Sequence, residues 1–357
     1  MNYIKNKVKG IYNFYMKIVN EKLPYVFYRN KVLASIYYFL FSRSFLRENK
    51  AVLNGKVQYL KQSQSNKANI FLLVRNTHKL EKGLLMRPRR AVFAASYIEE
   101  TVSCFIKLAE SGDDIHTPQF KWFYDVLDEY FAVVQGGDKT IDFQMGRFKA
   151  VVESINFELK SKKIEQKSIP YKHSSIGVSP ISYEDFFKLS KQRRSVRWFE
   201  QKAVPRELVD KAILAAIQAP SACNRQPFQF RIIDDKNILS KIVNYPMGTT
   251  GYAENIPMMI VVTGNLDAYF SERDRHVIYI DGSLASMSFM YALETLGLSS
   301  CSINWPDIEQ RERKMQKLLK LKDFQRVIMC IGVGYADPEG YIAFSEKRSL
   351  DEIRKYN

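Results

Sequence analysis

The chain has 357 residues, 46% of them hydrophobic and 26% charged, with a net charge of +16. That is an ordinary globular composition, long enough for two domains of about 100–200 residues each. Its four cysteines (Cys104, Cys223, Cys301, Cys330) lie far apart with no Cys-x-x-Cys pair, which argues against a disulfide framework or a zinc site and for a reducing, cytoplasmic compartment.

The first residues lack the apolar core and small-residue cleavage site of a secretory signal. Half of the charge sits in the first fifty positions, where ten Lys and Arg face only Glu21 and Glu48, a net +8. Tyr, Phe, Ile and Leu are interleaved with these basic residues. The plain reading is a helical domain with a solvated basic face. A peripheral membrane contact through residues 1–50 is the second reading, and nucleic acid the last. The apolar run Val32–Phe41 is too short to span a bilayer, which needs about 20 residues.

Residues 1–165 read as an all-α domain, a bundle of five or six helices, with apolar clustering at Ile70–Val74 and helical spacing over Ala91–Leu108. Breaks are expected near Asn49, Gly83–Pro88, Gly112–Thr117 and Gly136–Asp138. His78 and Glu81 share a helical face with Lys82. An ordinary surface salt bridge is the leading reading there, and an acid/base group over a cofactor the alternative. Residues 166–182 carry Pro, Gly and Ser without apolar periodicity and read as a linker.

From 183 the pattern changes. A short helix, Tyr183–Gln192, delivers Arg193-Arg194-Ser195-Val196-Arg197-Trp198-Phe199. Three guanidiniums around one hydroxyl suit a phosphate, the alternative being charges gathered at a helix C-terminus. Pro205 opens a helix with an apolar face of Leu208, Ala212, Ile213 and Ala216. Then comes Pro220-Ser221-Ala222-Cys223-Asn224-Arg225-Gln226-Pro227-Phe228, a loop stiffened by proline at both ends. Strands are predicted at Phe228–Asp234, Met258–Thr263, Ser300–Asn304 and Val327–Gly332. A helix is predicted at Asp281–Leu296, its small residues permitting close approach of another helix, with Gly297 ending it. Strands separated by helices give an α+β sheet domain.

These two motifs, with a helix between them, resemble the nitroreductase family of FMN-dependent oxidoreductases over residues 183–357. The resemblance implies a three-layer sandwich with a mainly antiparallel sheet, preceded here by the all-α domain, and a homodimer with two flavins at its interface. It implies that Arg193, Ser195 and Arg197 hold the FMN phosphate, ribityl chain and flavin edge. Arg194 joins them, with the core or the partner chain as its alternative. It implies that Pro220, Ser221 and Asn224 meet the flavin ring across the dimer, while Gln226 joins them or braces the loop. Ser300 and Cys301 are flavin neighbours on this reading, though a small buried strand cysteine is the plainer account of Cys301. Lys347 and Arg348 complete the phosphate site.

The implied activity is NAD(P)H-driven, ping-pong hydride transfer through FMN to a nitro, quinone or other conjugated acceptor. No protein nucleophile and no metal is expected. One alternative is a specialised flavoenzyme acting on a biosynthetic intermediate, at a membrane surface. The other is a scaffold that has lost its flavin.

Overall fold

A computed structural model describes residues 2–112, 115–134, 138–159 and 167–356. The breaks expected at Gly112–Thr117 and Gly136–Asp138, the end of the helical domain at 165 and the linker's first residue, Gln166, fall wholly or partly outside them.

The helical half comprises α1 (Asn2–Glu21), α2 (Pro24–Phe27), α3 (Lys31–Tyr37) with a π turn at Tyr38–Ser42, α4 (Leu46–Gln64), α5 (Ile70–Leu84), α6 (Ile98–Ser111), α7 (Pro118–Val133) and α8 (Lys139–Leu159). That exceeds five or six because the first fifty residues are cut into short pieces by Pro24, by the Asn30 cap and by the left-handed Arg43 (φ 57°). Two expectations need correction. Asn49 lies inside the first turn of α4, so the break falls before Leu46. The segment before Ile98 is turn rather than helix, with Ala94 at φ 68°.

Side-chain caps start α5 and α7. Asn69 accepts from Leu72 N (3.1 Å), and Thr117, followed by Pro118, accepts from Phe120 N (3.1 Å); each satisfies an otherwise unpaired first-turn donor. Leu73, Leu80, Phe105, Phe120, Phe123, Leu127 and Tyr130 are fully buried in one core. Each such side chain contributes about 1.5–3 kcal/mol.

The second half holds α9 (Tyr183–Gln192), α10 (Arg206–Ala216), β1 (Phe228–Ile233), α11 (Lys236–Ile242), β2 (Met258–Asn265), α12 (Val277–Thr295), β3 (Ser299–Asn304), α13 (Glu309–Leu319), β4 (Gln325–Gly334) and α14 (Leu350–Ile353). The sheet order is β1-β2-β4-β3, with antiparallel neighbours throughout. Period-two geometry sends alternate residues of β2 to opposite faces. Met259 and Val261 pack with Ile242, Met315 and Leu319 on one side, and Met258, Ile260 and Val262 with Ala212, Phe289 and Leu293 on the other. This is the expected α+β three-layer sandwich, and it explains why β2 reads as one unbroken apolar run. Pro205 is the residue before α10 rather than in its first turn.

The halves are packed together. Ala51 of α4 joins Leu266, Ala268, Tyr269 and Ile278 in a small core of its own. Arg47, Lys50 and Lys56 of α4 pair with Glu309, Asp323 and Glu272 (2.6, 2.9 and 2.8 Å).

Candidate active site

The site is assembled at the two edges of the sheet. At the β3 edge, α9 opens on Ser182, whose hydroxyl accepts from Asp185 N (3.0 Å), and closes at Arg193. The chain then runs extended beside β3. Val196 N donates to Ser300 O (3.0 Å), making a parallel bridge between Ser195 and Ser300. Asn255 clamps the far end: its Oδ1 accepts from Phe199 N (2.5 Å) and its Nδ2 donates to Phe199 O (3.1 Å). The Arg segment is therefore held by its backbone, which leaves its side chains for other work.

Arg193, Arg194 and Arg197 are half-buried, and among the described residues none forms a salt bridge with a carboxylate. Arg193 Nε and Ser300 Oγ are buried without a partner. Leaving a buried polar group unsatisfied costs about 1–3 kcal/mol. Clustered guanidiniums with orphaned donors fit a phosphate-bearing group, which accepts several charge-assisted hydrogen bonds at once. Arg197 also donates from Nη1 to Ser195 O (3.4 Å) and stands 5.8 Å from the Tyr252 ring centroid. The Tyr252 hydroxyl lies 3.8 Å from Cys301 Sγ. Burial, then the neighbouring thiol, pushes the Tyr252 phenol up to about 12, so it stays a neutral donor at ordinary pH. Cys301 itself is buried on β3.

The second motif stands at the β1 edge. Cys223, Asn224 and Gln226 have φ of 55°, 54° and 47°, a left-handed backbone that costs a non-glycine residue about 1–3 kcal/mol. The loop is held by Ser221, which accepts from Asn224 N through its carbonyl (3.0 Å) and from Gln226 N through its hydroxyl (3.1 Å). Asp281 of α12 accepts from Ala222 N (3.0 Å). Gln226 donates from Nε2 to Ile217 O (2.9 Å), so its amide nitrogen braces the loop. Asn224 and Pro220 are exposed. Three strained residues held this firmly fix the direction in which Asn224 is presented.

Nothing among the described residues joins the Arg segment to this loop by a hydrogen bond, ion pair or ring contact. β3 and β1 are the two outer strands, so one chain carries the two motifs apart. Lys347 and Arg348 lie on an exposed tail, where Arg348 faces Glu352 (3.7 Å), with no hydrogen bond or ion pair to either motif among the described residues.

Several contributors had no sequence signal. Tyr252, Asn255 and Asp281 arrive from distant elements. Arg225 is buried, donates to Ala222 O (3.3 Å) and lies 4.9 Å from the Tyr269 ring. Helix α5 packs against the Ala222–Asn224 turn. Its Lys79, 3.4 Å from the Tyr97 ring centroid, has its pKa lowered, first by burial and then by Arg75, with Cys223 among the groups acting on it. His78 faces Glu81 (3.3 Å), and Glu81 accepts from Trp122 Nε1 (2.9 Å); that pair belongs to the α5–α7 seam. A cleft of about 810 Å³ between α4 and α13 is lined by ion-paired residues such as Arg47 and Glu309, so volume alone does not locate the chemistry.

The nitroreductase family profile matches residues 190–254 and 244–335. A Methanothermobacter thermautotrophicus protein assigned as an NADH dehydrogenase/NAD(P)H nitroreductase is 28% identical over 43% of this chain and 79% of its own length. Iodotyrosine deiodinase 1 of Sus scrofa is 23% identical over 57% of this chain and 79% of its own. An FMN-dependent nitroreductase of Clostridium difficile superposes with a TM-score of 0.41 at 25% identity, covering 48% of this chain and 99% of that one. The C-terminal half of the chain carries a nitroreductase-family oxidoreductase domain, and the chain is an enzyme.

Proposed function

We propose that the protein is an FMN-dependent oxidoreductase that takes reducing equivalents from NADH or NADPH and passes them, in ping-pong order, to a nitro, quinone or other conjugated acceptor. The carrying observation is the Arg193–Arg197 segment, whose three guanidiniums form no salt bridge among the described residues, with the orphaned Arg193 Nε and Ser300 Oγ. When bound, the flavin supplies the two-electron chemistry, and the protein supplies position and charge. Arg193, Arg194, Ser195 and Arg197 would hold the phosphate, ribityl chain and ring edge, with Ser300 and Cys301 beneath. Arg197 would also favour negative charge on the ring. Pro220, Ser221 and Asn224, with Gln226 setting their loop, would meet the ring from a second copy of the chain.

A homodimer suits the placement of the motifs at opposite edges of the sheet. Exposed Ile280 and Leu284 on α12, and Tyr341 and Phe344 on the tail (95% and 79% exposed), offer apolar surface for it. In such a dimer Lys347 and Arg348 would reach the phosphate of the neighbouring site. The unpaired cysteines suit a cytoplasmic setting.

The test is retention of FMN by the purified full chain, read as flavin absorbance after desalting, with bleaching by NADH or NADPH under anaerobic conditions. Arg197→Ala should weaken FMN binding roughly 10- to 100-fold, the loss of one charge-assisted hydrogen bond worth about 1.5–3 kcal/mol. Equal affinity in the variant would remove Arg197 from the site. A parent protein that holds no flavin would overturn the whole reading.

A second reading is reductive dehalogenation of a halogenated aromatic compound. It is favoured by the deiodinase relatives, one of which is matched over 57% of the chain, more than residues 183–357 provide. Iodide release from an iodinated tyrosine by the reduced protein, faster than its nitro or quinone reduction, would select it.

A further inference from the structure

The first four helical segments carry a surface that the oxidoreductase reading does not use. Residues 2–43 hold eight basic side chains against Glu21 alone. Among the described residues none of these basic groups, Lys5 through Arg43, forms an ion pair, whereas Arg47, Lys50 and Lys56 on the adjoining α4 all do. Three of the four basic side chains of α4 are thus paired with carboxylates of the other half, while those of α1–α3 have no such partner among the described residues.

The apolar residues of α1 follow helical spacing: Val8, Ile11, Tyr12, Tyr15, Ile18 and Val19 recur three and four apart, placing them on one stripe. Only Val19 is buried, beneath Tyr37, whose hydroxyl donates to its carbonyl (2.9 Å). Val8 and Ile11 are 60% and 64% exposed. Asn6, Asn13 and Asn20 fall on the opposite face, with Lys5, Lys9 and Lys17 at its borders. Tyr25, Tyr28, Phe39 and Leu40 add exposed apolar side chains from α2 and the π turn. An amphipathic helix with aromatic and aliphatic residues on one face and lysines flanking the other sinks its apolar side to headgroup depth, while its lysines reach the lipid phosphates. No helix among the described residues is long and apolar enough to cross a membrane.

We propose that α1, with α2 and the π turn, docks on an anionic lipid bilayer, lying in the plane of its surface. Charge selects this occupant. A second copy of the same face would bring two strongly positive surfaces together. Nucleic acid would satisfy the lysines but leave the aliphatic stripe in water.

The experiment is co-sedimentation of the full-length protein with vesicles of phosphatidylcholine alone and of phosphatidylcholine with about one third phosphatidylglycerol. The expected result is partitioning at least roughly tenfold stronger on the anionic vesicles, reduced severalfold by 0.5 M salt, at which screening is nearly complete at about 4–5 Å. Two variants, Val8→Asn with Ile11→Asn, and Lys5→Glu with Lys9→Glu and Lys17→Glu, should each lose this binding. Both lie outside the candidate active site and should keep the parent's flavin content and melting temperature. No partitioning onto anionic vesicles overturns the proposal. So does equal partitioning onto both kinds of vesicle, or binding that survives the Lys→Glu changes. If the variants instead alter the size of the lipid-free particle and neither they nor the parent bind vesicles, the face belongs to a second copy of the chain.

Discussion

Asp267 is 6% exposed, one of its oxygens accepts from Gln62 Nε2 of α4 (3.2 Å), and the other has no partner. Burial pushes this carboxyl up to about 6, against about 3.9 for a free aspartate. A folded-state pKa raised in this way favours the protonated form. The contribution is full below about pH 4 and is lost as pH rises through about 6. Asp267→Asn should therefore be more stable than the parent at pH 7, by roughly 1–3 kcal/mol at about 1.4 kcal/mol per tenfold change in proton affinity, and equal to it near pH 4. Denaturant unfolding at the two pH values checks this, and a difference that does not depend on pH would sink it. The same scale shows what was legible. Arg193, Ser195, Arg197 and Asn224 could be singled out as candidates because they stand in short motifs that are local in sequence. Asp281, Asn255 and Tyr252 could not, since each acts through a tertiary contact made 56 or 59 positions away (Phe199 to Asn255; Ala222 to Asp281) or through the Cys301 thiol. Buried Asp267 gives no sign of its burial in sequence.

Among the elements, α4 carries the connection between the halves. A Cβ built on Gly55 would lie 2.6 Å from the Leu266 carbonyl carbon, so glycine sets how closely this helix approaches. Gly55→Ala should destabilise the protein by about 1–3 kcal/mol through overpacking, despite a helix-propensity gain of about 0.5–1 kcal/mol. Gly146→Ala on α8, where nothing lies within 4 Å, should show the gain alone. Thermal melts of the two variants moving in opposite directions would bear this out; a stabilised Gly55→Ala would refute it. The ion pairs on α4 add little, since exposed pairs contribute about 0–1 kcal/mol each, although the Arg47 guanidinium holds the Glu309 carboxyl down at about 2. Strand and helix positions in the second half were readable because period-two and period-3.6 patterns survive there, and Tyr183–Gln192 matches its expectation at both ends. The first fifty residues were harder. An amphipathic helix whose apolar face is left outward gives the same periodicity as one buried in a core, so the pattern shows the helix but not what it packs against.

At the scale of the molecule, the two motifs at opposite edges of the sheet and the exposed tail belong to one prediction. Deleting the chain from Tyr341 onward should yield a monomer without FMN, as measured by light scattering and flavin content; a flavin-loaded monomer would overturn the dimer reading. The resemblance supplied the sandwich and the expectation of a dimer. It was silent on the way α5 rests on the Ala222–Asn224 turn, a tertiary contact between residues more than 130 positions apart that leaves no local pattern in the sequence.

Since α4 completes the small core around Leu266 and Ile278, the halves are joined by packing as well as by the segment at 167–182, whose Lys167 and Ser168 are tied to Asp128 and Asp125 of α7 (2.9 and 2.7 Å). Lys172 is exposed on that segment, so a single tryptic cut there should leave two fragments that travel together through a sizing column and separate only in denaturant. The sandwich expressed alone from Tyr183 would instead present that core as a raw apolar face and precipitate. The helical half thereby covers apolar surface that the sandwich would otherwise leave to water.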